Sequence, residues 1–283
     1  MFPIHETPSR LNLIRWLFDT AAERYARDVD PVLAPLSADF ATYAAPRPTD
    51  RVLDLGTGTG SLAREIAPLV QQVIGIDLAP AMLRRTRTQP PTANVSYGLA
   101  DLHRLPLRAG AFTLVIASFG LNAADPDRSL RAIRRVIAPG GRLVIQEWGP
   151  EDSISLGLSD LLADHAVDAP DETLAALRAR LDTFAPLWTD HLQDVDDYRE
   201  RLAEARLIVD DAAEVAPLKI ALHPDQYLAF WRARTDRYEE VRAMDVDRRA
   251  AFEAAARASL RPFTTPDGWL IWQPVVFRVS ARR

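Results

Sequence analysis

The chain has 283 residues, no cysteine and a formal net charge of −5 at pH 7. This length allows one α/β domain with an elaboration, and the acidic balance disfavours a broad surface for nucleic acid or an anionic membrane, because such partners need clustered basic residues. Without cysteine there is no disulfide framework, thiolate metal site or cysteine nucleophile.

The first part of the chain predicts helices. In residues 10–45, apolar positions recur at three- and four-residue steps, which predicts two helices separated near Asp30 and Pro31. The proline-containing stretch 45–50 then breaks the helical pattern. No stretch approaches the roughly 18–20 apolar residues that span a bilayer, and the N-terminus has no signal-peptide pattern. We therefore expect a soluble, cytoplasmic protein.

Five apolar strands follow, alternating with helices. We place the strands at 52–55, 72–76, 94–98, 110–117 and 142–148, and the helices between them at 62–69, 80–87 and 126–138. The strand at 110–117 carries no charge, as expected of a strand covered on both faces. This alternation predicts a doubly wound parallel sheet that binds its ligand at the carboxyl ends of its strands.

The remaining residues change in character. Helical patterns occupy parts of 154–184 and the ranges 195–206, 224–244 and 247–260, while 209–222 and 269–280 have the character of strands. No repeat or low-complexity linker separates this half from the first. We therefore predict that it completes the same α/β domain, adding two edge strands, for a mostly parallel seven-stranded sheet, and a helical cover.

The first strand runs into a glycine-rich turn. Gly56, Gly58 and Gly60 alternate with other residues before a helix opens at Ser61, so the backbone can approach a ligand at a helix N-terminus. A dinucleotide fingerprint needs its third glycine one position later, and the carboxylate of Asp54 would repel a pyrophosphate but attract a cation. A nicotinamide dehydrogenase is therefore disfavoured.

Taken together, the segments resemble class I S-adenosylmethionine (SAM) methyltransferases, in particular small-molecule enzymes of quinone and natural-product biosynthesis. The resemblance covers residues 15–149 well and the rest loosely. It rests on Phe18-Asp-x-x-Ala21-x-x-x-Tyr25, Val52-Leu-Asp-Leu-Gly-Thr-Gly-Thr-Gly60, Gly75-Ile-Asp77, Ala100-Asp101-Leu102 with Leu105-Pro106, and Arg135-Val-Ile-Ala-Pro139-Gly140-Gly141. It implies a Rossmann-like methyltransferase domain over residues 1–283, with a helical cap (1–48), a SAM-binding core (49–149), and a helical cover with closing edge strands (150–283).

The resemblance also implies where SAM binds. The methionine end would contact the glycine turn, formed by Asp54, Gly56, Gly58 and Gly60. For Asp54, the alternative is a strand-end residue that caps the turn.

The other implied cofactor residues follow later strands. Asp77 would hold the ribose hydroxyls, Leu78 would pack on the adenine, Asp101 and the Leu102 backbone would meet the adenine edge, and the backbone of Ser118 would close the site. Asp77 could instead cap a helix. In the leading helices, Tyr25, together with Trp16, would contact the sulfonium region or pack against the sheet.

The catalytic candidates are few. Glu147 closes the fifth strand at the ligand end and is suited to act as a base or to hold an acceptor hydroxyl, although it could instead pair with an arginine. His103 follows Asp101 and is expected near the cofactor, whereas the remaining histidines fit a surface or packing role. No pair of histidines or carboxylates has a spacing that predicts a metal site.

Aromatic residues in the second half indicate the acceptor. Trp188 and Phe230 lie there, and Tyr227, Trp231 and Tyr238 are predicted to share one helical stripe. They would either pack helices together or line an apolar pocket for a phenolic, quinoid or polyketide acceptor. The Asn-Pro-Pro-aromatic signature of enzymes that methylate exocyclic or amide nitrogens is absent after the fourth strand.

These features predict a SAM-dependent methyltransferase acting on oxygen or carbon of a small, largely apolar or aromatic metabolite. Two alternatives keep the cofactor: an enzyme of this fold that catalyses a cyclisation or elimination, and a non-catalytic SAM-binding subunit. We expect a small-molecule substrate, no nucleic-acid partner and no membrane span, and consider a homodimer as the assembly.

Overall fold

The structure, a computed structural model, describes residues 10–181 and 188–283. Their contacts divide them into two compact units. The sheet unit comprises residues 33–150, 188–217 and 275–283, and the helical unit comprises residues 10–32, 151–181 and 218–274. The expectation of a single domain over residues 1–283 stays a prediction.

One sheet dominates the sheet unit. Its strands are β1 (Arg51–Leu55), β2 (Gln72–Asp77), β3 (Val95–Leu99), β4 (Phe112–Ser118), β5 (Ile137–Trp148), β6 (Ile208–Val215) and, after two strands of the helical unit, β9 (Val276–Arg282). They are ordered β3-β2-β1-β4-β5-β9-β6. β1 to β5 run parallel, whereas β9 is antiparallel to both β5 and β6. The predicted mostly parallel, seven-stranded sheet is confirmed.

Both faces of this sheet are buried, because the central strands are apolar on both sides. Leu53, Val115 and Ile145 belong to one core cluster, and Val52 and Leu114 to a second. The helices of this unit include α3 (Ser61–Ile66), α4 (Pro80–Thr86), α5 (Pro126–Val136), α8 (Trp188–His191) and α9 (Val195–Glu204). Asp194 caps α9 with a full capping box, as its position before the helix predicts.

The helical unit is built from short helices and a small two-stranded sheet. Its elements are α1 (Arg10–Arg24), a π-helical turn (Tyr25–Val29), the start of α2 (Asp30–Tyr43), α6 (Ser153–Asp164), α7 (Glu172–Leu181), β7 (Ile220–Leu222), α10 (Pro224–Arg232), α11 (Thr235–Ala243), α12 (Val246–Ser259) and β8 (Leu270–Trp272). α1 passes through the π-helical turn into α2 without a loop, so the predicted interruption near Asp30 and Pro31 is a change of helical pitch.

Four predicted boundaries were wrong. The helix expected at 224–244 is two helices, because the backbone of Arg234 is not helical and this residue is the N-cap of α11. The strand-like segments 209–222 and 269–280 each supply strands to two different sheets, with Pro217 and Pro274 in the gaps, where a residue without an N–H cannot continue a ladder. Strand β5 begins earlier than expected, at Ile137.

The closing strands also differ from expectation in position. β9 is inserted between β5 and β6, so it is an interior strand and β6 forms the sheet edge. Residues 182–184 of the predicted helical stretch 154–184 lie outside the described residues. In residues 10–181 and 188–283, no helix combines the length and the apolar character needed to cross a membrane.

Candidate functional site

In the loop after β1 (residues 56–60, the glycine loop), the three glycines have different surroundings. All three have left-handed φ angles of 65°, 56° and 80°. A Cβ on Gly56 would lie 2.6 Å from the Cα of Gly120, and one on Gly60 would lie 2.5 Å from the hydroxyl of Tyr97. Only the Gly58 position is open, its nearest neighbour being a carbonyl oxygen 4.0 Å away. The middle glycine therefore leaves the space that a ligand needs.

Asp54 lies beneath the glycine loop. Its carboxylate is buried and accepts a hydrogen bond of 2.6 Å from the hydroxyl of Thr57. Burial raises the pKa of Asp54 to about 7, the nearby charge of Asp77 adds to the rise, and the Thr57 hydrogen bond opposes it. A buried carboxyl with this pKa is only partly ionised at neutral pH, and a neighbouring cation would favour its ionised form, which fits a ligand that carries an ammonium and a sulfonium.

Asp77 ties the loop to the end of β2. One of its carboxylate oxygens accepts from the backbone N–H of Gly58 and the other from that of Ala79, each at 2.8 Å. A carboxylate oxygen has more than one acceptor site, so hydroxyl groups of a ribose could still bind there. Leu78 follows and is half-buried. The bond to Ala79 does not cap α4, because Ala79 is itself the N-cap residue and no side chain caps this helix, so the alternative role of Asp77 was wrong.

His103 fixes Asp101 after β3. The carboxylate of Asp101 accepts hydrogen bonds from the backbone N–H of His103 (2.9 Å) and from its Nδ1 (2.7 Å), while Nε2 accepts from the backbone N–H of Asp125 (2.9 Å). Because Nε2 is an acceptor, the proton of a neutral ring lies on Nδ1. His103 therefore orients Asp101. Leu102, between them, is half-buried.

The loop after β4 (residues 119–122, the β4 loop) presents an aromatic pair. Phe119 has a φ of 56°, a strained conformation for a bulky residue. Its N–H donates to the carbonyl of Gln146 (2.8 Å), and its ring stacks on Trp148 with centroids 4.0 Å apart. Both rings are half-buried. Ser118, the last residue of β4, immediately precedes this pair.

Glu147 anchors the same loop from beneath. Its carboxyl is fully buried, and one oxygen accepts from the backbone N–H of Leu121 at 2.7 Å. The other oxygen has no hydrogen-bond partner among the described residues. Burial raises the pKa of Glu147 to about 8, against the opposing effect of backbone hydrogen bonds. The group is therefore mostly protonated at neutral pH, and its predicted role as a base or acceptor-binding residue stays a prediction.

Tyr25 belongs to the helical unit, at the start of the π-helical turn, and its predicted contact with the cofactor stays a prediction. The predicted aromatic stripe is divided. Tyr227 and Trp231 are buried within α10, whereas Tyr238 lies on α11 with the guanidinium of Arg24 3.8 Å above its ring. Trp188 lies in the sheet unit and donates to the hydroxyl of Tyr198. For Tyr227 and Trp231, packing explains the burial.

Sequence reasoning used Gly75 only as part of a family motif and gave Tyr97 no role, so it missed how these two residues shape the glycine loop. Gly75 lies in the middle of β2, in register with Tyr97 of β3. A Cβ on Gly75 would lie 2.6 Å from the hydroxyl of Thr57 and 2.8 Å from the ring of Tyr97. A glycine inside a buried strand is a signal of such close packing. Within residues 10–181 and 188–283, no group of three or more metal-binding side chains comes together.

Comparison with known proteins agrees with this geometry. Residues 53–145 match a family described as a methyltransferase domain. The demethylmenaquinone methyltransferase of Thermus thermophilus is 41% identical over 128 residues, which cover 43% of this chain and 56% of that protein. The ubiquinone/menaquinone biosynthesis C-methyltransferase UbiE of Shewanella oneidensis is 30% identical over 169 residues, 55% of this chain and 67% of that protein.

Among solved structures, the cyclase SpnF has a similar fold. The TM-score is 0.58 at 17% identity, with 98% of this chain and 97% of that chain covered. An identity this low shows the fold alone. The matches to the two methyltransferases span 56% and 67% of those proteins.

A parallel sheet with a glycine loop, an acidic residue beneath it and carboxylates after the next two strands defines a nucleoside-binding α/β protein. The open position at Gly58 and the pKa of Asp54, about 7, fit a cationic amino-acid nucleoside. With the relatives above, the chain belongs to the class I SAM-dependent methyltransferases, and its cofactor is SAM.

Proposed function

We propose that the protein transfers the methyl group of SAM to an oxygen or carbon atom of a small, largely apolar or aromatic metabolite. The class of acceptor is inferred from the stacked pair of Phe119 and Trp148 at the carboxyl ends of β4 and β5. A flat, half-buried aromatic surface beside the glycine loop suits a planar acceptor. The strained backbone of Phe119 supports a functional reason for its position.

Alignment is the main task of the protein in this reaction. SAM supplies a methyl group already activated by its sulfonium, so correct orientation of the acceptor can lower the barrier by about 7–11 kcal/mol. In the proposal, Asp54 and the glycine loop hold the methionine end, Asp77 and Leu78 the nucleoside, and Asp101 with Leu102 the adenine edge. Phe119 and Trp148 exclude water and orient the acceptor ring.

The names of the relatives favour a quinol as the first acceptor to test. The two compared above are named for menaquinone and ubiquinone biosynthesis, and one is called a C-methyltransferase. Another relative, 38% identical over 149 residues, is called a malonyl-acyl-carrier-protein O-methyltransferase, so oxygen stays in the proposal. The proposal further includes a cytoplasmic protein with no nucleic-acid partner and a homodimeric assembly, to be checked by cell fractionation, by gel-shift titration and by light scattering.

The direct test uses trideuteromethyl-SAM with 1,4-naphthohydroquinone, a reduced quinone, and follows the products by mass spectrometry. Methyl transfer adds the label to the quinol, and fragmentation distinguishes carbon from oxygen as the acceptor atom. If the quinol is consumed while the labelled methyl appears in no product, a non-methylating reaction replaces the proposal. If S-adenosylhomocysteine binds and no tested phenol or quinol reacts, a binding subunit becomes the better description.

The aromatic pair provides a variant test. Trp148→Ala should raise the KM for the quinol by about 2- to 13-fold, since stacking contributes about 0.5–1.5 kcal/mol beyond its burial. It should leave the Kd of S-adenosylhomocysteine within about threefold. Trp269→Ala is the matched control, because Trp269 is an exposed tryptophan of the helical unit. Equal KM values for the two variants would contradict the proposed acceptor surface.

A further inference from the structure

Three polar side chains lie side by side on one buried face of the sheet. Ser118 of β4 is in register with Gln146 of β5, and Gln146 is in register with Arg278 of β9. Paired residues of neighbouring strands point to the same face. Gln146 is fully buried and Arg278 is 8% exposed, so their hydrogen bonds are protected from water.

The direction of these hydrogen bonds is fixed by chemistry. Arg278 donates to the amide oxygen of Gln146 from Nε (2.9 Å) and from Nη2 (2.7 Å). A guanidinium has no acceptor, so the amide must turn its oxygen towards Arg278 and its NH₂ group away. That NH₂ group donates to the hydroxyl oxygen of Ser118 at 3.2 Å. The serine hydroxyl is therefore an acceptor on its inner side.

The proton of the Ser118 hydroxyl is left for another partner. Among the described residues, the hydroxyl of Ser118 accepts the one hydrogen bond from Gln146 and donates none. Asp54 is the registered neighbour of Ile116, and Ser118 lies two residues further along the same face of β4. The hydroxyl is thus one step beyond Asp54 towards the carboxyl edge of the sheet, beside the glycine loop.

The buried charge of Arg278 is balanced at the other end of the row. Its Nη2 also donates to the carboxylate of Asp39 at 2.5 Å, and its guanidinium lies 5.2 Å from the centroid of the Tyr43 ring. An unpaired buried cation would be costly, whereas a paired and hydrogen-bonded one is tolerated. Asp39 therefore allows a guanidinium to stay where it orients Gln146.

We propose that the Ser118 hydroxyl donates a hydrogen bond to an oxygen atom of the bound ligand, and that Arg278 and Gln146 are positioning residues that hold it in this polarity. The oxygen belongs either to the carboxylate of the cofactor or to the methyl acceptor, since both would lie at this edge. The inference rests on the proposed function and adds to it a directed donor that selects an oxygen-bearing ligand.

Gln146→Glu tests the polarity with a near-isosteric change. The new carboxylate is an acceptor only, so it can bind Arg278 with one oxygen and draw the Ser118 proton inward with the other. It should then weaken ligand binding as much as Ser118→Ala does, by about 3–10-fold for one hydrogen bond. Ser118→Thr keeps the hydroxyl and should retain wild-type binding.

The two ligand sources are separated by two measurements. A rise in the Kd of S-adenosylhomocysteine by calorimetry assigns the bond to the cofactor carboxylate. An unchanged Kd with a raised KM for 1,4-naphthohydroquinone assigns it to the acceptor. Tyr43→Phe is the control, because it removes a hydroxyl that donates to Asp211 and leaves Arg278, Gln146 and Ser118 unaltered.

Each remaining outcome has a definite consequence. If wild-type protein binds S-adenosylhomocysteine while Ser118→Ala and Gln146→Glu change neither Kd nor KM, the inference alone is overturned. If only Ser118→Ala has an effect, the polarity is wrong. If the wild type binds no S-adenosylhomocysteine, the proposed function fails and the inference with it. Should Gln146→Glu not fold, judged by circular dichroism, the contrast between Ser118→Ala and Ser118→Thr still decides whether the hydroxyl is needed.

Discussion

The glycine loop and the β4 loop meet at the carboxyl edge of the sheet but are held in place differently. The glycine loop is held by two carboxylates: that of Asp54 accepts from the hydroxyl of Thr57, and that of Asp77 accepts from the backbone N–H of Gly58. The β4 loop is held by three consecutive residues of β5, which supply a carbonyl, a buried carboxyl and a stacking ring. The first loop is held by its own strand and by one carboxylate from the neighbouring strand β2, whereas the three anchors of the second loop all come from β5.

This difference suits their proposed tasks. A loop made of backbone and glycine presents the same surface whatever the acceptor, as a shared cofactor requires. A loop whose shape depends on side chains of β5 could change with those side chains, as acceptor specificity requires. The two loops nevertheless share one contact, where Gly56 packs against Gly120.

The largest effect is expected where the loops touch. Gly56→Ala would place a Cβ 2.6 Å from the backbone of Gly120 at a φ of 65°, costing about 2–5 kcal/mol from the left-handed conformation and overpacking together. The Kd of S-adenosylhomocysteine should rise more than about 100-fold, or the melting temperature should fall markedly. Gly98→Ala is the control, since a Cβ there meets nothing within 4 Å. Wild-type binding by Gly56→Ala would mean that the loops are not packed as one.

A smaller effect is expected at Asp54, and it should depend on pH. The ammonium of S-adenosylhomocysteine favours the ionised carboxyl, whose pKa is about 7 before binding, so affinity for this ligand should rise as pH increases from 6 to 8. Asp54→Asn keeps an acceptor for Thr57 but has no charge. Its affinity should be about tenfold lower at pH 8 and should vary little with pH. Parallel pH profiles for the two proteins would show that Asp54 does not sense the ligand.

The glycine loop was predictable from sequence because its determinants lie within a short stretch. The apolar run of β1, the alternating glycines and the carboxylates after neighbouring strands carry their own periodicity and turn chemistry. The parallel direction of β1 to β5 followed from the alternation of strands and helices, whereas their order in the sheet did not. Even here, sequence alone could not show that Gly56 and Gly60 are required by Gly120 and Tyr97, since those contacts come from other strands.

The β4 loop and the second half were less predictable for the same physical reason. Nothing local to Phe119 indicates that Trp148 stacks on it, or that Gln146 turns its amide towards Ser118, because both depend on the register between β4 and β5. The single-helix prediction for 224–244 failed because the backbone of Arg234 leaves the helical conformation. The hydroxyl of Thr235, the first residue of α11, donates to the carbonyl of Leu17 in α1, and a contact of this kind cannot be read from a helical pattern.

The smallest effect on cofactor binding is expected at Glu147. This residue either anchors the β4 loop or acts on the acceptor, and the two roles can be separated by experiment. The folded protein retains a proton on Glu147 up to a pKa of about 8, which the unfolded chain releases near the ordinary value of 4.5. Stability should therefore fall as pH rises through this window, by at most about 1.4 kcal/mol per pH unit. Glu147→Gln keeps the acceptor for the Leu121 N–H and should remove this pH dependence of stability. Urea titrations at pH 5.5, 7 and 8.5 should therefore show the variant becoming more stable relative to the wild type as the pH rises. Glu65→Gln, an exposed change on α3, is the control, and its stability should follow that of the wild type. Binding of S-adenosylhomocysteine should change less than about threefold. If instead methyl transfer collapses in Glu147→Gln while the stability profiles stay parallel, the carboxyl acts on the acceptor, and the β4 loop carries a catalytic group rather than an anchor.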